Sequence, residues 1–160
     1  RGRAPRRPRA ALTRSGGGPP AGAAYWQSSP VVRDGAEPET GAVRRGDRAL
    51  YYWIHPNFMI NWYEGMMDTN LVLPRGVDKT VVIFDFYFAD VSETARERNL
   101  ASIAVGQRIQ DEDTAICHSV QRGLSSRAYV AGRLSVRREA GEHLFHRLLH
   151  ADLKSGLSAD

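Results

Sequence analysis

Asp111, Glu112 and Asp113 stand in a row inside the segment QRIQDEDTAICHSVQRGL, residues 107–124. Wound as an α-helix at about 100° per residue, Ile109, Asp113, Ile116, Val120 and Leu124 fall in one narrow arc, so a carboxylate interrupts an apolar stripe. Glu112 projects about a quarter-turn away and Asp111 lies on the opposite side. An ionised carboxylate taken out of water is costly unless it meets a cation, a metal or several donors. Asp113 therefore calls for a partner, and an arginine, a metal ion or water at the open end of the stripe would each serve.

Other residues offer chemistry with less support from their spacing. His143, His146 and His150 share one side of the amphipathic segment GEHLFHRLLHADL and could hold zinc, but they lie opposite Leu144, Phe145, Leu148 and Leu149, with no carboxylate or cysteine at ligand spacing. A solvated polar face accounts for them better. Asp85 is a second acid within an apolar run, with a salt bridge or a strand neighbour as its simplest explanation.

The elements that must position these groups follow from the hydrophobic periods. LYYWIHP alternates Leu50, Tyr52 and Ile54 with Tyr51, Trp53 and His55, and FMINWY alternates Phe58, Ile60 and Trp62 with Met59, Asn61 and Tyr63. The two runs predict an antiparallel hairpin turning at Pro56. KTVVIFDFYF follows TNLVLP and a PRGVD turn, with Val82, Phe84, Phe86 and Phe88 on the core side. Its other face, Val81, Ile83, Asp85 and Tyr87, is apolar enough to predict a covering layer. Asp90 and Glu93 suit a capping box opening a helix that runs to Leu124. Gly106 marks an expected bend or break, and Gly123 an expected C-cap. Strands followed by helices predict an α+β fold.

Charge and composition divide the chain. The first 24 residues hold six arginines and no acid amid Pro, Gly and Ala, a composition that cannot order itself by burial. Removing those arginines from the formal net charge of +4 leaves −2 for residues 25–160, so the basic character belongs to the tail and a nucleic-acid partner is not expected. No apolar run reaches the roughly 20 residues that cross a bilayer. With the lone Cys117, a cytoplasmic protein is the default expectation. The expected organisation is a disordered tail over 1–24, an irregular lead-in over 25–48, the folded unit over 49–154 and a disordered end over 155–160.

The ordered run QDEDTAICHSVQRGLSSRAYVAGRL resembles the C-terminal signature of Rieske-type ring-hydroxylating oxygenase alpha subunits, in particular the choline and glycine betaine monooxygenase branch. ALYYWIHPNFMINWYEGMMDTNLVLPRG and GEHLFHRLLHADL resemble further segments of that family, so the resemblance covers roughly residues 40–153. It implies a helix-grip (Bet v 1/START-like) domain in which an antiparallel sheet grasps a long helix. It also implies that Asp113, or less favourably Glu112, is the carboxylate of a two-His, one-carboxylate Fe(II) site. The implied reaction uses O2 and NADH-derived electrons, relayed by an electron-transfer reductase and a Rieske [2Fe-2S] cluster, to oxidise a small substrate within a homotrimer. For a quaternary ammonium substrate, Trp53, Trp62, Tyr63 and Tyr87 are the candidate rings for cation–π contact.

Two departures bear on this. One cysteine cannot hold a Rieske centre, which takes two Cys and two His, and no histidine pair has the family's H-x4-H spacing. The chain also starts at Arg1 rather than a methionine, so it reads as the C-terminal part of a longer oxygenase, inactive by itself. Alternatives are a non-enzymatic helix-grip domain binding a hydrophobic ligand, ring hydroxylation of an aromatic acid by the parent enzyme, and a purely subunit-assembling role.

Overall fold

The computed structural model describes residues 16–17, 22–31 and 44–157. The fold is α+β: six strands form one antiparallel meander in sequence order, followed by two helices. The strands are β1 (Gly16–Gly17), β2 (Ala24–Pro30), β3 (Arg45–Ile54), β4 (Phe58–Glu64), β5 (Met66–Pro74) and β6 (Thr80–Phe88). A 3-10 turn at Glu93–Ala95 leads into α1 (Arg96–Leu124), and α2 (Ala140–Leu157) closes the chain.

The expected β3–β4 hairpin forms, and its register sets Tyr51 opposite Asn61 and Trp53 opposite Met59. β4 and β5 are joined through Gly65 alone, whose φ of 93° suits a residue without a Cβ. That turn sets Asn61 opposite Asp68 and Trp62 opposite Met67. β5 and β6 then pair along their whole length, Asp68 against Phe86 and Asn70 against Phe84.

Two expected boundaries move. Ala24–Pro30, placed in the irregular lead-in, is a strand paired with β3, from Ala24 opposite Ile54 to Pro30 opposite Arg48. Its SSP looks like turn sequence, yet Ser28 and Ser29 pair with Leu50 and Ala49, and the proline closes the strand. At the other end α2 continues to Leu157, into the stretch expected to be disordered. Most of the arginine-rich tail lies outside the described residues.

The expected break at Gly106 does not occur, because α1 runs unbroken through it. Gly106 instead faces the Phe86 ring, which would stand 3.5 Å from a Cβ at that position. The helix ends on Ser125, whose N–H donates to the Gln121 carbonyl, so Gly123 belongs to the last turn rather than to a C-cap. Nor does Asp90 make a capping box with Glu93. Its Oδ1 accepts from the N–H and Oγ of Ser92, its Oδ2 from Arg98, and its backbone carbonyl from Asn99. Those donors, chiefly Ser92 with Arg98 after it, hold the Asp90 carboxyl below its ordinary pKa.

The core is small. Among the described residues Ala49, Met66 and Ala95 are the buried apolar ones, and the rest of the buried set is polar: Ser28, Asp68, Thr69, Asn70 and Asn99. Both helices pack on one side of the sheet. α1 touches it through Gly106 and through Ser102, whose Oγ donates to the Met66 sulfur over 3.5 Å. α2 is fixed by Phe145, edge-on to Trp53 at 5.7 Å, and by Asp152, 2.6 Å from His55 Nε2. The opposite side, including Val81, Ile83 and Tyr87, carries no layer among the described residues, against the expectation that β6 is covered twice.

Candidate functional site

A cleft of about 400 Å³ opens between α1 and the helix-facing side of the sheet. The sheet supplies Tyr51 from β3, Asn61 and Tyr63 from β4, Asp68 and Asn70 from β5, and Phe84 and Phe86 from β6. These side chains share one face because the pleat sends alternate residues to one side and the register stacks them across four strands. α1 supplies Ile103, Gly106, Gln107, Ile109, Gln110 and Asp113, one helical stripe, and Arg44 lies at the edge of β3.

The floor of the cleft is polar. Asp68 is only 5% exposed, and its Oδ2 accepts from Asn61 Nδ2 at 2.7 Å and from Asn70 Nδ2 at 3.1 Å. Beside it the Tyr63 hydroxyl donates to the Tyr51 hydroxyl over 3.5 Å, at the outer limit of a hydrogen bond. The Arg44 guanidinium carbon lies 4.9 Å from the centre of the Tyr63 ring, within cation–π range. Burial pushes the Tyr63 phenol well above its ordinary 10.0; the Tyr51 hydroxyl and the Asp68 charge act the same way, and Arg44 opposes them.

Asp113 borders this cleft from α1, together with Ile109, as the helical phase requires. It is solvent-exposed rather than buried, because α1 beyond Gln110 is exposed along its whole length: Ile116, Val120 and Leu124 are exposed as well. The inward stripe is thus real in direction but uncovered. The ion pairs among the described residues are His55–Asp152, Arg96–Glu93 and Arg98–Asp90, so no arginine there claims Asp113. Glu112 is exposed away from the cleft, and Asp111 accepts from Gln107 at 2.9 Å.

Of the four candidate rings, only Tyr63 meets Asp113 in the cleft. Trp53 is on the same side of the sheet but under α2, edge-on to Phe145 and His55. Trp62 and Tyr87 point to the opposite side, 42% and 50% exposed, and so are separated from Asp113 by the sheet. Asp85 is exposed with Tyr87 on that outer side. His143, His146 and His150 are exposed along α2. The residues that sequence reading passed over are Asn61, Asp68 and Asn70. Their signal was polar residues two apart in M-D-T-N, facing the asparagine of FMINWY across a turn at Gly65.

A mononuclear iron of the two-His, one-carboxylate class needs three protein ligands. Among the described residues no group of three His, Cys, Asp or Glu side chains comes close enough to hold a metal ion. Asp113 is a free carboxylate at a cleft and fits one of the three places, so these residues do not constitute the metal site by themselves.

The antiparallel sheet and the long helix across it are consistent with one protein class. Residues 6–155 match the model of the ring hydroxylating alpha subunit (catalytic domain) family, and the chain belongs to that family of oxidoreductases. Within it, the chain is 50% identical over 117 residues to choline monooxygenase, chloroplastic, of Arabidopsis thaliana, covering 72% of this chain and 27% of that protein. The namesake proteins of Beta vulgaris and Amaranthus tricolor are 37% and 34% identical, over 71% and 76% of this chain and 26% and 28% of their own lengths. The chain therefore spans about a quarter of the length of the curated relatives it matches. No solved structure matches it significantly. No helix of the described residues is long and apolar enough to cross a membrane.

Proposed function

We propose that this chain is the part of a Rieske non-heme iron oxygenase alpha subunit that carries the carboxylate iron ligand, Asp113, and a wall of the substrate pocket. The parent enzyme would use O2 to oxidise a quaternary ammonium compound such as choline or glycine betaine. The observation that carries this reading is the meeting of Asp113, which no described arginine claims, with Tyr51 and Tyr63 around one cleft. Fe(II) bound there, with two histidines from outside the described residues, would supply the oxygen chemistry. The chain's own residues would hold the ammonium group against aromatic rings and keep it beneath α1.

The polar floor favours this over a carrier of hydrophobic ligands, since Asn61, Asp68 and Asn70 would be left facing hydrocarbon. The large apolar side chains exposed on the outer side of the sheet fit a chain that is covered by the remainder of a longer polypeptide. The relatives' names place them in the chloroplast, which we carry over in place of the cytoplasmic default. The reductase and the homotrimer stay part of the same proposal.

Asp113→Ala in a full-length version should remove the mononuclear iron and abolish turnover while sparing the Rieske absorption spectrum. Iron retained at full stoichiometry would overturn the assignment of Asp113. The 160-residue chain alone should bind iron weakly and show no oxygenase activity with a reductase present; turnover by it would refute the ligand set.

A further inference from the structure

We propose that Asp68 is the anionic anchor of the cleft and selects a positively charged quaternary ammonium group over a neutral group of the same shape. The proposal deepens the reading of the cleft as a substrate pocket and rests on it.

Three observations meet at this residue. Asp68 lies almost wholly out of water in the middle of a sheet, where an acid has no structural reason to be unless something compensates its charge. Asn61 and Asn70 both donate to the same oxygen, Oδ2, and neither brings a positive charge. No ion pair between Asp68 and an arginine, lysine or histidine exists among the described residues. The carboxylate is held in place by amides, which fix its direction, and has no ion-pair partner among the described residues, which leaves its charge to a ligand.

The walls restrict what that counter-ion can be. Register places Phe86 directly across from Asp68, Phe84 across from Asn70, and Tyr51 across from Asn61, and all of them line the cleft with Tyr63. A primary ammonium would draw its three acceptors from the polar floor, Asp68, Asn61 and Asn70, and would leave Phe84, Phe86 and the faces of Tyr51 and Tyr63 without a matching group. A metal ion would need further ligands, which the described residues do not group here. A quaternary ammonium has no N–H to satisfy; it needs one negative charge and apolar or aromatic contact, and the cleft provides those. One wall of the cleft already carries a cation, since Arg44 stands over the Tyr63 ring with its Nε buried and unpartnered. Arg44 acts as an internal stand-in that an incoming ammonium displaces.

The test compares choline with 3,3-dimethylbutan-1-ol, its uncharged carbon isostere, by titrating the iron-free 160-residue chain and following tyrosine and tryptophan fluorescence or NMR shifts. The wild type should bind choline about tenfold or more tightly than the neutral alcohol. Asp68→Asn, which keeps the shape and removes the charge, should bring the two within about twofold of each other. Arg44→Gln should tighten choline severalfold by removing the competing cation. Equal binding of both probes to the wild type, binding of neither, or a charge preference that survives Asp68→Asn would each overturn the proposal. The wild-type comparison decides the matter even if Asp68→Asn does not fold. Because no iron is involved, a charge preference found beside iron retained in full-length Asp113→Ala would leave Asp68 standing and remove the ligand assignment, and the converse result would do the reverse.

Discussion

The two faces of the sheet come from the same strands and the same alternation, yet the covered one holds a polar cluster at its middle and the open one a cluster of large apolar side chains. The helix-facing side carries Asn61, Asp68 and Asn70 at its centre, and Asp68 and Asn70 are among the most buried residues of the chain. The outer side carries Leu50, Tyr52, Ile54, Ile60, Trp62 and Met67 around a shallow apolar depression, with Tyr52, Ile54 and Trp62 exposed. Hydrophobic burial alone would not place Asn61, Asp68 and Asn70 beneath a helix while leaving Trp62 and Ile54 in water. Polar groups kept inside mark a face built to hold something other than core. Apolar groups left outside are what the proposed longer polypeptide would cover. On the function proposed above, the first face would carry the chemistry and the second the assembly.

The sharpest probe of the inner face is Tyr63. Its phenol is buried beside Tyr51 and Asp68, so its folded-state pKa lies above the unfolded value of 10.0. The stabilising contribution is therefore complete below about pH 10 and is lost as the pH rises toward the folded-state pKa. In an alkaline titration followed by tyrosinate absorbance, one tyrosine should ionise later than the rest and only as the fold is lost. Tyr63→Phe should remove that late step. A Tyr63 that ionises near pH 10 while the fold is intact would mean that the inner face is wet and the contrast between the faces false.

Next in size is Asn70→Ala, which deletes one of the two amides on Asp68 Oδ2. Weakening the solvation of a buried carboxylate by one donor costs about 1–3 kcal/mol, read as a lower urea midpoint at unchanged slope. A negligible change would show that Asp68 is satisfied by water.

How far this contrast was visible in the sequence depended on what each inference rested on. Alternation grouped Tyr51 with Trp53, Met59 with Tyr63, and Val82 with Phe84 and Phe86, strand by strand, because a two-residue period needs no partner to be read; that the three groups share one side comes from the register. The helical phase aimed Asp113 at the cleft for the same reason. What failed depended on contacts between elements. The one-residue turn at Gly65, and with it the pairing of Asn61 with Asp68, needs the register of two strands at once. Trp62 and Tyr87 were chosen as rings by residue type, and the same alternation that located Tyr63 puts both on the far side. The loss of apolar phase at Gly106 suggested a break, whereas it marks where α1 passes over Phe86.

That reading of Gly106 gives a smaller effect of opposite sign. An alanine methyl there would meet the Phe86 ring at an ordinary contact distance of 3.5 Å, and helix propensity favours alanine over glycine by about 1 kcal/mol. Gly106→Ala should raise the melting temperature by a few degrees. A fall would show that α1 lies closer to the sheet than contact distance allows, with less room in the cleft.

The smallest effect belongs to the outer face. Tyr87 is half-exposed on β6, across from Met67, with no layer above it among the described residues. Replacing it with a polar β-former, Tyr87→Thr, removes contacts that are mostly with water, and surface substitutions of this kind stay within about 0.5 kcal/mol. Urea unfolding of the 160-residue chain should barely register it, while solubility improves as exposed apolar area falls. In a longer version carrying the rest of the polypeptide the same substitution should cost more, because the ring would then be covered. A large loss in the short chain would place Tyr87 in a core of this unit, and equal small losses in both lengths would show that the outer face stays open to solvent in the parent protein.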